Sequence, residues 1–164
     1  MTTFKPKIST EQELRSGNEF GIHKVQQPIT GYKKIQCDCP RSNFFAWLND
    51  GKTINPIAEL EIPTNATIIR PLVTTKSSFS APESHISTKL RTDVAITKKI
   101  KPVSLFALMF NPSNCRCYSL IDNNYEYSVG KEQKPIKDFD DDVSTGCTSG
   151  IHFFLEKREA ENYV

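Results

Sequence analysis

Polar and apolar positions alternate along much of this chain with the period of a β-strand, and turn residues cut the alternation into short lengths. IAELEI at 57 to 62 sets Ile57, Glu59 and Glu61 on one side and Ala58, Leu60 and Ile62 on the other before Pro63 stops it, the pattern of a half-buried strand. TGYKKIQCDC at 30 to 39 alternates enough for a second strand, ended by Pro40. FFAWL at 44 to 48 reads as a buried strand or one apolar helical turn, and Asn49-Asp50-Gly51 after it as a turn. LRTDVAITKKI at 90 to 100 and the wholly apolar VSLFALMF at 103 to 110 predict two further core elements, parted by Lys101-Pro102. Residues 115 to 121 and 125 to 129 predict a hairpin about Asp122-Asn123-Asn124. A charged loop from 130 to 145, a buried strand IHFFL and a terminal helix EKREAENYV complete the chain, the helix aligning Ala160 with Tyr163 and Val164.

Two stretches depart from this rhythm. Residues 1 to 28 are polar, and Thr10 followed by Glu13 is the spacing of a capping box for a short helix that Gly17 and Gly21 then break. TTKSSFSAPESHIST at 74 to 88 is rich in Ser, Thr and Pro and predicts a long loop, a length usually tied to function or to a bound partner. The expected fold is therefore α+β, mostly antiparallel β-sheet with a C-terminal helix and an extended N-terminal arm: residues 1–28 form the arm and 29–164 a single domain.

Composition narrows the function classes. A chain of 164 residues with 37% hydrophobic and 24% charged residues suits one soluble domain, and a mean hydropathy of -0.45 with no long apolar run speaks against a membrane span. The start MTTFKPKIST lacks the basic and then apolar run of a secretory signal, so synthesis in the cytoplasm is expected. Lys and Arg number 21 against 19 Asp and Glu, interspersed, for a net charge of +2; no strong nucleic-acid or anionic-lipid signal arises. KKIK at 98 to 101 and DFDDD at 138 to 142 read as solvated segments.

The five cysteines fall as Cys37-Asp-Cys39, Cys115-Arg-Cys117 and a lone Cys147. Two residues apart on a strand, both thiols of a pair share a face. Buried free thiols are the simplest reading in a reduced compartment. Disulfides between the pairs are geometrically open. A small zinc-stabilised module is the other alternative, with Cys37, Cys39, Cys115 and Cys117 as ligands and His152 or His23 able to complete the set, although C-x-C is tighter than the usual C-x2-C knuckle. No cofactor is implied.

Several motifs in order carry a resemblance: LEIP at 60 to 63, the 90 to 100 strand, YSVGK at 127 to 131, DFDDD, and CTSGIHFFLEKREAENY at 147 to 163. From residue 57 to 164 the chain resembles a domain of unknown function from large DNA viruses, often beside pentapeptide or ankyrin repeats. The resemblance implies no established activity. It points to a non-enzymatic structural or interaction protein, a minor capsid or virion component that contacts neighbouring subunits through its arm and its long loop. Other proteins of an assembly, capsid proteins among them, would be its partners, with Phe4, Phe20 and Phe79 as apolar anchors. Virion or host cytoplasm is the expected location.

His152, between Ile151 and Phe153, raises the competing enzymatic readings. Cys147 with His152 could form a thiolate dyad across Gly150. Tyr32-Lys33-Lys34, the Tyr127-x-Val129-Gly130 stretch and the Gly-Ile-His strand are faintly similar to ADP-ribosyltransferases, which would make Tyr32, Lys33 and His152 a nucleotide-binding set. Lysine, however, lacks the bidentate fork of the arginine that such enzymes use on phosphates. The structural alternative is a core histidine whose ring nitrogens are both hydrogen-bonded.

Overall fold

Cross-strand pairing dominates the computed structural model, which describes residues 4–40, 54–75, 79, 81–103, 111–122 and 124–163. Strands β1 (Lys7–Ser9), β2 (Gly21–Val25), β5 (Thr67–Arg70), β8 (Leu90–Thr92) and β12 (Ile151–Phe153) form one sheet in the order β1-β2-β5-β8-β12. A second sheet runs β10-β3-β4-β9-β11, from β10 (Arg116–Ser119), β3 (Ile29–Asp38), β4 (Ile57–Ile62), β9 (Ala95–Lys101) and β11 (Glu132–Gln133). β6 (Leu72–Thr75) and β7 (Glu83–Ile86) make a separate two-stranded ribbon. β1 and β2 run parallel, and the other strand pairs among the described residues are antiparallel.

The expectation of an α+β fold is corrected. α-Helices are confined, among the described residues, to α1 (Glu11–Ser16) and α2 (Lys157–Glu161), of six and five residues, beside a single 3-10 turn at Pro112–Asn114, so the protein is mostly β-sheet. The terminal segment EKREAENYV supplies too narrow an apolar face for a longer helix: Ala160 is its one buried helical residue, packed beside Ile57 and Phe154 with Tyr32 and Tyr163 around them. α1 forms where the capping box predicts it, with Glu13 N–H donating to Thr10 Oγ1 at 3.2 Å and Thr10 N–H donating to Glu13 Oε2 at 2.9 Å. Gly17 ends it in the left-handed region, at φ 69°.

Other expected boundaries also move. The 90 to 100 segment is two strands in different sheets, because the chain turns at Asp93-Val94. The 74 to 88 segment, expected as a loop, carries the ribbon strands β6 and β7; their residues are mostly solvent-exposed on both faces, so no apolar alternation marks them. Residues 7 to 25 belong to the first sheet, and Leu14 of α1 is buried in the main core. The segments 44 to 48, 49 to 51 and 104 to 110, with Asn123 of the predicted turn, lie outside the described residues.

The core fills the space between the sheets. Val25, Ile68, Leu90, Ile151 and Phe153 come from the first sheet, and Ile29, Ile35, Ala58, Leu60, Ile62 and Ile100 from the second. Gly31 lets the two sheets close, since a Cβ there would stand 2.5 Å from Phe153 Cδ2. Main-chain hydrogen bonds also join them: Tyr32 and Phe154 each donate an N–H to the other's carbonyl at 2.8 Å.

Candidate functional site

That junction creates an opening. One edge of β3 faces Phe154 at Tyr32, then faces β10 from Ile35, opposite Ser119, to Asp38, opposite Arg116. Between these partners, at Lys33 and Lys34, β12 and β10 diverge. A cleft of about 460 Å³ lies there, within the range of small-ligand sites. Lys33 and His152 line it together with the turn after β10 (Ile121, Asp122, Tyr125, Tyr127) and the loop before β12 (Ile136, Lys137, Cys147 to Gly150).

Lys33 is the unusual member. On β3 it shares a face with Ile29, Gly31, Ile35 and Cys37, three of which are core residues. Its ammonium donates to the His152 carbonyl at 2.9 Å, and no carboxylate among the described residues forms an ion pair with it. Burial, reinforced by nearby Lys89, lowers its pKa to about 8. The adjoining cations are engaged: Lys34 Nζ donates to the carbonyls of Glu161 and Tyr163, and Lys89 lies over the Tyr163 ring, 5.4 Å from its centroid.

His152 sits opposite Arg91 in the β12–β8 register. Its Nε2 is buried without a hydrogen-bond partner, so the core histidine with both nitrogens satisfied is not what the structure contains. Burial first, and then the cations Lys33, Lys89 and Arg91, push the ring down to about 3, against a backbone hydrogen bond with Gly146; the imidazole is neutral over the physiological range. His23 is the satisfied one. Its Nδ1 meets Ser9 Oγ at 2.7 Å and its Nε2 meets the Glu19 carbonyl oxygen at 3.3 Å.

The wall holding Cys147 is built from the acidic segment. Arg91, wholly buried, donates from Nε to the Asp140 carbonyl at 3.0 Å, from Nη1 to Thr145 O at 2.6 Å, and from Nη2 to Asp142 O. Asp140 in turn accepts from Thr148 Oγ1 at 2.6 Å, and Asp142 accepts from Ser144 and Thr145. These hydrogen bonds hold both carboxyls below the usual carboxylate range. DFDDD is thus a constructed loop in which one guanidinium satisfies three carbonyls. Gly150 permits it, since a Cβ there would stand 3.0 Å from Arg91 Cδ.

The structure brings Lys33, Cys147 and His152 to one cleft and leaves Tyr32 on the opposite face of β3, packed with Phe154. Cys147 is exposed, and the free Nε2 of His152 makes no hydrogen bond to it. The C-x-C pairs do meet, face to face as their spacing allows. Antiparallel register sets Cys37 opposite Cys117, and disulfides join Cys37 to Cys117 and Cys39 to Cys115, where free buried thiols are the simpler expectation. Cys37 spends its backbone N–H and C=O on Ile54, on the other edge, which makes its pairing with Cys117 the close, non-hydrogen-bonded kind. Among the described residues, no group of three or more His, Cys, Asp or Glu is placed to hold a metal ion. Of the expected anchors, Phe4 and Phe20 stack on each other with centroids 5.7 Å apart, whereas Phe79 is 98% exposed.

Two mostly antiparallel sheets that share a core, the second carrying two disulfides between β3 and β10, define a β-rich module with a cleft at Lys33. The chain belongs to a family of unknown function, DUF5758, whose model matches residues 13–160. The match takes in the last four residues of α1 and all of β2 and β3, N-terminal to the 57 to 164 span that the motifs suggest. Over 152 residues the chain is 33% identical to the uncharacterized protein L223 of Acanthamoeba polyphaga mimivirus, covering 89% of this chain and 90% of that one. No solved structure matches the chain. A viral relative and a family of unknown function agree with the resemblance drawn from the C-terminal motifs, and no helix among the described residues is long and apolar enough to cross a membrane.

Proposed function

We propose that this chain is a non-enzymatic interaction protein of a large DNA virus, a minor component of the particle that grips a neighbouring capsid protein. The observation that carries this reading is the β6–β7 ribbon. It stands outside both main sheets and presents Phe79, 98% exposed, in the segment between its strands. A two-stranded ribbon has little core of its own, and an aromatic side chain is the residue type that most often anchors an interface. Two disulfides also suit a virion surface, where oxidised pairs persist.

The arm contributes differently from the expectation. Lys7–Ser9 and Gly21–Val25 are members of the first sheet, so its deletion would damage the fold as well as any interface. The ribbon gives the cleaner test. Phe79→Asp should leave the circular dichroism spectrum and melting temperature unchanged while removing the protein from purified particles. Absence of the unaltered chain from particles, or normal incorporation of the variant, would end this reading.

A further inference from the structure

We infer that the cleft where β3 changes partner is a binding site for a small molecule bearing an oxyanion, phosphate or carboxylate, on an aromatic or apolar body. Lys33 supplies the reason for the charge. An ammonium has three N–H donors, and one of Lys33's is accounted for by the His152 carbonyl. A cation held away from water is costly without an opposite charge, and here the charge that acts on Lys33 is another cation, Lys89. An oxyanion seated over Lys33 supplies the missing charge and accepts its remaining donors.

His152 sharpens the assignment. Its unpartnered Nε2 is buried beside the same ammonium; the neutral ring's one proton is engaged by the Gly146 backbone, which leaves Nε2 a lone pair that accepts from a protonated oxygen of the ligand, such as the P–OH of a phosphate monoanion. The Ser149 and Thr148 hydroxyls spend their protons on Lys137 O and Asp140 Oδ2, leaving lone pairs rather than donors in that wall. The ligand's anionic end therefore belongs at the Lys33 and His152 end. Asp122, which also lines the cleft, restricts where a negative charge can sit.

The rest of the lining accounts for the body. Tyr125 and Tyr127 pack edge to face with centroids 5.2 Å apart, and Tyr125 is fixed by donating its hydroxyl to Lys134 O at 2.6 Å. Ile121 and Ile136, 70% and 63% exposed, stand at the rim. A ring entering between them covers apolar surface that otherwise faces water.

The test uses the full chain with its disulfides intact and four probes: phenyl phosphate, benzoate, inorganic phosphate and phenol. Calorimetric titration and the imidazole NMR signals of His152 are the readouts. Phenyl phosphate or benzoate should bind and shift the His152 resonances, with inorganic phosphate weaker by about tenfold or more because it lacks the ring. Preference between the first two identifies the oxyanion. Lys33→Met should lower the affinity by about 10- to 100-fold, the worth of a charge-assisted hydrogen bond. The rim variant Ile136→Glu should also weaken binding without affecting the fold. Phenol binding as well as phenyl phosphate, affinity unchanged in Lys33→Met, or no binding by any probe would overturn the assignment.

Discussion

Replacing Lys33 by methionine should make the protein more stable at neutral pH. A pKa lowered from 10.5 to about 8 corresponds to about 3 kcal/mol of cost for keeping the ammonium charged in the fold, at ~1.4 kcal/mol per pKa unit. The side chain keeps some accessible surface in the cleft, which brings this to about 2 kcal/mol. Losing the hydrogen bond to His152 O returns about 1 kcal/mol, so the variant gains about 1 kcal/mol at pH 7. The sign follows from linkage. Below pH 8 the group is charged in folded and unfolded chains alike and the full cost applies. Between pH 8 and 10.5 only the unfolded chain stays protonated, so the native protein becomes more stable as pH rises. Above 10.5 both states are neutral and the cost is gone. Urea denaturation of both chains at pH 7, 9 and 10.5, without reductant, measures this directly. The methionine variant should lead at pH 7, lose its advantage by pH 9 to 10, and fall behind at 10.5. A variant less stable at pH 7, or a difference that ignores pH, refutes the reasoning.

Gly31→Ala puts a Cβ 2.5 Å from the Phe153 ring and should cost about 2–3 kcal/mol in thermal melts; a cost under about 0.5 kcal/mol would show that Phe153 can move aside. His152, held near 3 where a free imidazole titrates at 6.5, stays neutral in the fold while the unfolded ring takes up a proton. Native stability should therefore fall by about 3 kcal/mol, discounted for partial exposure, as pH drops from 6.5 toward 3, and His152→Gln should flatten that part of the melting-temperature profile. The two disulfides close loops of 80 and 76 residues that lie one inside the other. Once either is closed the second adds little entropy, so Cys39→Ser with Cys115→Ser should cost about 1 kcal/mol and loss of both bridges about 4 kcal/mol; additive losses in denaturant titrations would contradict the nesting.

What the sequence made readable was local. The capping box of α1 and the two faces of IAELEI depend on residues within one turn or one strand, and both stand as read. The cysteine spacing fixed which thiols share a face, but their partners depend on the register of β3 against β10, a contact across 80 residues. Ribbon strands β6 and β7 left no trace in the hydrophobic pattern because solvent meets both their faces. Nothing local marks Arg91 as different from any other strand cation, because its carbonyl partners lie 49 to 54 residues later in the chain. Lys33, a candidate through the faint similarity to ADP-ribosyltransferases, also carries a signal of its own: taken from Ile29, every second residue is Ile, Gly, Lys, Ile, Cys, and a lysine on that face is out of place. That clue is one of period, and it becomes visible only when the strand is started at Ile29.

Comparison of the buried cations separates architecture from site. Arg91 spends its guanidinium on three carbonyls of the 138 to 145 loop, and Arg70 donates to Ser87 O at 3.0 Å and Leu14 O at 2.5 Å. Each ties together segments distant in sequence, and each has its donors occupied by the chain it organises. Lys33 ties nothing comparable, with its one bond going to the backbone of a neighbouring strand. A charge that served folding alone would be expected to bring its partners with it, as these arginines do. Beside an imidazole with one unpartnered nitrogen, Lys33 is instead a cation kept at a cost to stability, the condition that stability–activity trade-offs associate with binding sites. The cleft beside it exists because β12 and β10, of three and four residues, are too short to cover the edge of the ten-residue β3. Strand length, set by the turn residues along the chain, is thus what leaves the edge of β3 open at Lys33.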